Sequence, residues 1–421
     1  MSGIAAAQRS LFLLTGLRWL PVGVALGVTV LLPLERGLSI AAIGSLLAIQ
    51  GFVVLGLELP TGGLSDTIGR RPVLVASGIL AVAASTVFLF ADSYLLFAAS
   101  LVTQGVFRAL DSGSLEAWFV DAVHDEDPGA EVAGPLARAS SVLGTAIASG
   151  ALAGGLLVVW HPFRSASALI LPVAVAIALY ACYTLLVVVL VREPGRRAEP
   201  SRPWLTARSA VRDAPRAIAG GVRLVARSRV LAGLILVEVF WSVAMVAFET
   251  LTPLRIEQIV GSEQRAAAVF GPASSAAWAL FAVGALLASR ASRTVGVTWI
   301  AIASRLANGF SVVIMGLAAG LVGLLVGFGL AYLTHGSAGP MHAALLHREA
   351  DRTTRATVLS LNSMVAGGTY SVGILLLTAF AQSTSITTAI VVGGTFSLLG
   401  SLCYLPALRR EREAARSELR V

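Results

Sequence analysis

Apolar residues dominate this chain in long runs that short polar segments separate. About 20 apolar residues are needed to cross the hydrocarbon core of a bilayer as an α-helix, and windows of that length recur twelve times. The predicted spans are 11–33, 40–61, 72–91, 94–119, 139–160, 166–191, 230–253, 268–289, 297–318, 321–345, 356–380 and 387–408. The pattern therefore predicts an all-α membrane protein with twelve transmembrane helices.

The basic residues, all of them arginines, sort the polar segments into two sides of the membrane. Most of the 31 lie in segments that an even number of spans places on the same side as both termini. Only Arg36, Arg164, Arg255 and Arg265 fall on the opposite side. Since cytoplasmic loops carry the excess of Lys and Arg, both termini are predicted to be cytoplasmic, in a multi-pass protein of the cytoplasmic (inner) membrane. The run 11–33 exceeds a signal-peptide core and is predicted to be the first membrane helix.

The longest polar segment, residues 192–229, divides the spans into six and six. Its arginines recur near every fourth residue, which predicts an amphipathic helix lying on the anionic inner leaflet. The sequence thus predicts an N-terminal bundle at 1–191, a cytoplasmic linker at 192–229 and a C-terminal bundle at 230–421. Similar segments in the two halves, "RASSVLG" from Arg138 and "RATVLSL" from Arg355, indicate that the bundles are pseudo-symmetric.

The composition excludes several classes of protein. Of the 421 residues, 56% are hydrophobic and only 13% are charged, which is too apolar for a soluble protein. The net charge of +8 does not indicate nucleic-acid binding, because the arginines are scattered among the spans. Cys182 and Cys403 lie within spans and are predicted to be packing residues, so no disulfide, metal site or cofactor is expected. No nucleophile–base pair or phosphate loop indicates an enzyme.

A short charged segment, "ELPTGGLSDTIGRRPVL" at residues 58–74, lies between the second and third spans. Its proline and glycines predict the end of one helix, and its charged residues require water or lipid headgroups. From Gly62 to Leu74 it reads G-x-L-S-D-x-x-G-R-R-x-x-L. This pattern resembles the signature loop between helices 2 and 3 of the major facilitator superfamily of secondary transporters. The residues that carry the resemblance include Gly62, Asp66, Gly69, Arg70 and Arg71.

The resemblance implies a monomeric transporter of two six-helix bundles that moves a small-molecule substrate across the lipid bilayer. It also implies a conformational latch, in which the loop residues Asp66 and Arg70 join an acidic residue at the inner end of helix 4, here Asp121. The corresponding loop of the second half, near Gly284 to Gly296, keeps arginines but lacks the acidic position. Only the first half is therefore expected to carry the full latch.

Helix 5 contains "GALAGG" at residues 150–155, which resembles a motif of the proton-antiporter branch of that superfamily. Two positions depart from this branch: Ala151 replaces the usual proline, and Leu101 in helix 4 replaces an arginine, for which Arg108 is a displaced candidate. Small residues also allow helices to approach closely, which is a sufficient structural reason for the glycines.

Ionisable residues inside membrane spans are costly, so they are the best functional candidates in the sequence. Except for Glu58 in helix 2 and Arg305 in helix 9, they fall on the predicted helices 1, 4, 7 and 10, which line the central cavity in the major facilitator fold. These candidates for the cavity and for proton coupling are Arg18, Arg108, Asp111, Glu116, Glu238, Glu249 and His335. Asp111 follows Arg108 by three residues, so an ion pair between them is expected. Arg305, in helix 9, has no predicted role.

Proton coupling is assigned to Asp111 and Glu116, on what is predicted to be one continuous helix, with Glu238 in reserve. Glu238 and Glu249 are eleven residues apart and share one face of helix 7. The alternative is that these charges form ion pairs that only hold the helices together. Large side chains in the same helices could stack a flat apolar ligand or be ordinary packing residues. They are Trp19, Trp118, Trp241, Met245 and Tyr332.

These features predict a secondary transporter that exports a small amphipathic molecule against proton entry by alternating access. One rival is a uniporter or importer of a small organic anion, which the arginines Arg18 and Arg108 favour. Another is a membrane receptor that binds a ligand without transporting it. The sequence does not identify the substrate.

Overall fold

The computed structural model of the chain describes residues 3–163, 165–193, 212, 219–350 and 354–418. Nearly all of them are helical, which confirms the all-α prediction. The α-helices, numbered along the chain, are α1 (Gly3–Val24), α2 (Val28–Glu35), α3 (Ile40–Ile68), α4 (Arg70–Phe90), α5 (Tyr94–Asp111), α6 (Ser114–Glu126), α7 (Ala133–Trp160), α8 (Ile170–Leu190), α9 (Arg229–Glu249), α10 (Leu251–Val260), α11 (Glu263–Val295), α12 (Val297–Leu317), α13 (Leu321–Glu349), α14 (Arg355–Ser383), α15 (Ile386–Gly400) and α16 (Leu405–Glu418). A 3-10 helix, Ser401–Tyr404, joins α15 to α16, and residues 219–226 are also helical.

The helices confirm that the chain is a multi-pass membrane protein. Among the described residues, eleven helical segments are long and apolar enough to cross a membrane. Each of these segments overlaps one of the twelve predicted spans. The remaining prediction, 94–119, falls on α5 and α6, where Gln104, Arg108 and Asp111 make the segment less hydrophobic. The predicted span 94–119 is therefore the least hydrophobic of the twelve, and it also carries several of the charges predicted to be functional.

The predicted fourth helix is interrupted, because α5 ends at Asp111 and α6 begins at Ser114. Between them Gly113 has a φ angle of 68°, in the left-handed region that glycine adopts without the cost of a Cβ clash. The prediction that Asp111 and Glu116 lie on one continuous helix is therefore wrong. The relative direction of the two carboxylates cannot be calculated from helical spacing across this break.

The two signature-loop positions share one backbone feature. Gly69 lies directly before α4 with a φ angle of 108°, and Gly296 lies directly before α12 with a φ angle of 94°. A residue with a side chain would be strained at either position. The second loop has lost the acidic residue of the first but has retained its glycine turn, as expected for pseudo-symmetric halves.

One compact unit comprises Met1–Leu38, Ile49–Ala214 and Glu263–Ser275. Its hydrophobic core lies between α1, α4, α6 and α8 and includes Leu11, Leu14, Leu74, Phe119 and Tyr183. In the same unit, a Cβ atom added to Gly23 of α1 would meet the carbonyl oxygen of Ile147, and one added to Gly150 of α7 would meet that of Leu20. The backbones of α1 and α7 therefore touch, which explains the small residues at the start of the "GALAGG" segment.

The other compact unit comprises Ser39–Ala48, Pro215–Ser262 and Ala276–Val421. Here α9 packs against α14 and α15, and α12 packs against α13 and α15. The core includes Leu234, Val237, Ala301, Leu345 and Tyr404. Most of the predicted linker 192–229 lies outside the described residues, so the domain boundaries at 191 and 230 stay predictions.

Candidate functional sites

A buried ion pair joins α1 to α5 in the first unit. Arg18 is only 5% exposed, and its Nε donates a hydrogen bond to Oδ2 of Asp111. The hydroxyl of Tyr183 donates to the other carboxylate oxygen of Asp111 at 3.1 Å. The structure thus gives Asp111 a counter-ion on another helix, whereas the sequence spacing predicted Arg108, on the same helix, as its partner. A buried carboxylate with both oxygens engaged is held in one position.

The guanidinium of Arg18 is also surrounded by aromatic rings. Its Cζ atom lies 4.2 Å from the centroid of Phe107 and 4.9 Å from that of Trp19. Such cation–π contacts stabilise a cation most strongly when it is shielded from water. Nη1 of Arg18 has no hydrogen-bond partner among the described residues. The pair therefore keeps one unused hydrogen-bond donor.

The other charged candidates of the predicted fourth helix are less buried. Arg108 and Glu116 are both exposed, although the charge of Glu116 interacts with those of Asp111 and Arg18. Trp118 is 3% exposed and packs in the core of the first unit, where its indole nitrogen donates to the carbonyl oxygen of Arg192 at 3.0 Å. Its hydrogen bond and burial are those of a packing residue.

Part of the predicted latch lies in the described region. Nε of Arg70 is 3.5 Å from Oδ2 of Asp121, as the resemblance implied. The backbone nitrogen of Arg71 donates to Glu193 at 2.9 Å, and its side chain donates to the carbonyl oxygen of Val188 at 2.6 Å. The side chain of Asp66 and the surroundings of Gly62 lie outside what the structure describes. The role of these residues as a latch stays a prediction.

We expect Arg70→Ala to leave the amount of membrane-inserted protein unchanged and to slow transport roughly tenfold, the change that about 1.4 kcal/mol produces in an equilibrium. The reason is that loss of the Arg70–Asp121 pair removes a charge interaction that stabilises one conformational state of the transport cycle. The measurement is the initial transport rate per purified protein, with the exposed Arg138→Ala as the matched control. A wild-type rate in Arg70→Ala would exclude the latch.

A network of hydrogen-bonded polar side chains lies in the interior of the second unit. Glu238 and His342 are 7% and 4% exposed, and Nε2 of His342 lies 3.0 Å from a carboxylate oxygen of Glu238. Nδ1 of the same ring lies 3.0 Å from the hydroxyl of Tyr404, and Nε2 is also 3.2 Å from the amide oxygen of Asn362. A neutral imidazole that is protonated on Nε2 is compatible with all three contacts, because its one N–H can be shared between the oxygens of Glu238 and Asn362 while Nδ1 accepts from Tyr404.

Arg305 lies beside this hydrogen-bonded network. It is 2% exposed, its Cζ atom is 3.9 Å from the centroid of the Trp241 ring, and it is close to the Tyr404 hydroxyl. Neither Nε nor Nη1 of Arg305 has a hydrogen-bond partner among the described residues. The residue for which the sequence suggested no role is thus a buried cation with unused donors.

Aromatic rings cluster around Trp241 and His335. The His335 ring stacks on Trp241 with a centroid distance of 4.5 Å and an interplanar angle of 26°. Phe248 and Phe281 lie 5.8 Å and 5.1 Å from the same imidazole. Nδ1 of His335 is buried and has no partner within the described ranges. Of the predicted candidates, the structure brings together Trp241, His335 and, at 6.4 Å, Tyr332.

The predicted polar face of helix 7 is divided among different neighbours. Glu238 contacts His342, whereas Glu249 accepts a long hydrogen bond of 3.5 Å from the hydroxyl of Tyr332. Ser242, between them, donates to the carbonyl oxygen of Ala366 at 3.0 Å. Met245 is partly buried. The two carboxylates therefore belong to separate interactions.

Sequence reasoning missed several residues of these sites. His342 falls within the predicted span 321–345, and its imidazole inside a membrane helix was the same signal that selected His335. Tyr183, Asn362 and Tyr404 are uncharged, and only the three-dimensional fold brings them to Asp111 and His342. Within the described part of the chain, no group of three or more His, Cys, Asp or Glu residues could hold a metal ion.

Known proteins provide a further test. A comparison with curated proteins finds no match. Among solved structures, the nucleoside transporter NupG is similar with a TM-score of 0.74 and 12% identity, over 95% of this chain and 98% of that one. The peptide transporter POT in complex with sulfate gives 0.71 and 15%, over 97% and 94%. The human organic anion transporter MFSD10 (TETRAN) gives 0.61 and 16%, over 96% and 100%.

At these low identities, the structural similarity shows the fold alone. The sequence itself matches the family model described as Major Facilitator Superfamily over residues 11–281, which is more than half of the chain. This match includes the signature loop and the Arg18–Asp111 pair. The chain therefore belongs to the Major Facilitator Superfamily.

Proposed function

We propose that this transporter exports a small amphipathic molecule across the cytoplasmic membrane in exchange for protons, by alternating access. The observation that carries the proposal is the buried hydrogen-bonded network of Glu238, His342 and Tyr404 within apolar helices. Ionisable groups in membrane helices are expensive and mark substrate or proton pathways. A carboxylate hydrogen-bonded to an imidazole can accept and release a proton without leaving the protein interior.

The aromatic cluster next to this hydrogen-bonded network supports an amphipathic substrate. Trp241, Phe248 and His335 offer flat apolar surface beside buried polar groups. Binding sites for small molecules combine apolar walls with a few placed polar groups in this way. The proposed direction of export and the exchange with protons rest on the resemblance of the "GALAGG" segment to the antiporter branch.

A second candidate is a uniporter or importer of a small organic anion. The specific observation in its favour is Arg305, whose unpartnered guanidinium nitrogens are suited to an anionic group. A third, a receptor that binds without transport, is separated from both by the counterflow measurement below.

The orientation in the membrane is also part of the proposal. We infer that both termini face the cytoplasm, because the arginine-rich segments lie on their side. An external signal from a reporter fused at residue 200 would contradict this orientation. The protein is proposed to act as a monomer.

Counterflow in proteoliposomes tests the function directly. A drug-susceptibility and metabolite-uptake panel in a transporter-deficient host first selects the compound. Vesicles loaded with that compound should then take up its labelled form well above the level in protein-free vesicles, because exchange requires only alternating access. An imposed pH gradient should add uphill accumulation. Binding without counterflow would indicate a receptor, and counterflow that ignores the pH gradient would indicate a uniporter.

A further inference from the structure

We propose that Arg305, Trp241 and His335 form a subsite for the anionic group of the substrate, and that the substrate is a flat apolar molecule that carries one carboxylate or sulfonate. This inference rests on the proposed transport function and specifies the class of molecule. It begins from the burial of Arg305, which is 2% exposed in a helix that spans the membrane. A cation in such a position requires compensation.

The protein provides Arg305 with only part of that compensation. Within the described ranges, no ion pair joins Arg305 to a carboxylate. The negative charge of Glu238 does interact with Arg305, but that carboxylate is engaged directly by His342. Trp241 offers the face of its ring at 3.9 Å. A π face attracts the positive charge but accepts no hydrogen bonds from the Nε and Nη1 edges of the guanidinium. Both nitrogens are left without a partner among the described residues.

Unpaired buried donors are rare, and each one requires an explanation. Here a second unpaired atom, Nδ1 of His335, lies next to the same indole ring, because His335 stacks on Trp241 at 4.5 Å. An oxyanion satisfies guanidinium donors with charge-assisted hydrogen bonds, and a neutral His335 protonated on Nδ1 would add one more donor. A cationic group would meet the positive charge of Arg305. The sign of the missing partner is therefore negative.

The rings around this subsite determine the rest of the ligand. Phe248 and Phe281 flank the His335 imidazole at 5.8 Å and 5.1 Å, and Trp278 lies 5.4 Å from Phe281. Offset or edge-on contacts between such rings favour a planar partner. A flat hydrocarbon with one acidic group matches both the aromatic walls and the unpaired donors.

Binding of three naphthalene probes to detergent-solubilised protein tests the subsite. The probes are 1-naphthoate, 1-naphthalenemethanol and 1-naphthalenemethylamine, which share one ring system and differ in charge. We expect the wild type to bind the acid at least about tenfold more tightly than the alcohol, a difference of about 1.4 kcal/mol. Arg305→Gln should lose this preference while the affinity for the alcohol stays the same. Arg305→Lys, which keeps the charge of the buried position, should retain a reduced preference.

Arg290→Gln, an exposed arginine of the same unit, is the matched control and should bind as the wild type does. Equal affinity for acid and alcohol, an unchanged preference in Arg305→Gln, or failure of the wild type to bind the acid would each overturn the subsite. Because these measurements require no transport, they separate the two proposals. Charge-selective binding without counterflow contradicts the transport proposal alone, and counterflow with charge-independent binding contradicts the subsite alone.

Discussion

Asp111→Asn should abolish transport and lower the stability of the first unit. The substitution leaves Arg18, which is 5% exposed, without its counter-ion. It also replaces one of the two acceptor oxygens by an NH2 group, which cannot accept the hydrogen bond from Arg18 or from Tyr183. Removing one partner of a buried ion pair typically costs about 3–5 kcal/mol, because the remaining charge is uncompensated. The loss is measured as a lower thermal midpoint of the purified protein together with the absence of counterflow.

The double variant Arg18→Gln/Asp111→Asn distinguishes a structural role from a functional one. It should recover most of the lost stability, because the penalty of the single variant comes from an uncompensated buried charge, which the double variant no longer has. Transport should stay absent if the charges take part in the cycle. Asp92→Asn, which removes an exposed carboxylate of the same unit, is the matched control. Recovery of transport in the double variant would assign the pair to helix packing only.

Glu238→Gln should lower the uphill accumulation that a pH gradient drives at least about tenfold, while counterflow persists. Glutamine preserves the size of the side chain and can still pair with His342, but it cannot bind a transported proton. Exchange at equal concentrations needs no net proton movement, so it should survive. The two assays are performed on the same proteoliposomes, with the exposed Glu413→Gln as the matched control.

The same experiment ranks the carboxylates. The sequence assigned the proton to Asp111 and Glu116, but Asp111 is held by Arg18 and Tyr183, and Glu116 is exposed. Glu238 has instead an imidazole partner that can share a proton with it. Normal gradient-driven accumulation in Glu238→Gln would return the assignment to the carboxylates of the first unit.

The spans could be predicted from the sequence because membrane insertion depends directly on the hydropathy of each segment. The signature segment was only partly accessible. Arg70 does lie 3.5 Å from Asp121, but the helix end predicted at the proline and glycines is wrong, because α3 continues to Ile68 and only Gly69 separates it from α4. The interruption at Gly113 was less accessible. One glycine in an apolar run is compatible with a continuous helix, and only its φ angle of 68° shows the break.

Pairing between helices could not be predicted from spacing. Sequence separation identifies neighbours three or four residues apart on one helix, which is why Arg108 was chosen as the partner of Asp111. The partner that the structure shows on another helix, Arg18, is 93 residues away along the chain. Arg305 was left without a role for the same reason, because its neighbours Trp241 and Tyr404 come from distant parts of the sequence.

The glycine contact between α1 and α7 limits how the first unit can deform. With the backbones at Gly23 and Gly150 touching, no side chain lies between the two helices there that could change rotamer and allow them to slide. Close-packed interfaces of this kind move as rigid bodies. A displacement of α1 therefore carries α7 with it, and it would break the hydrogen bond from Arg18 to Asp111 unless α5 moved as well.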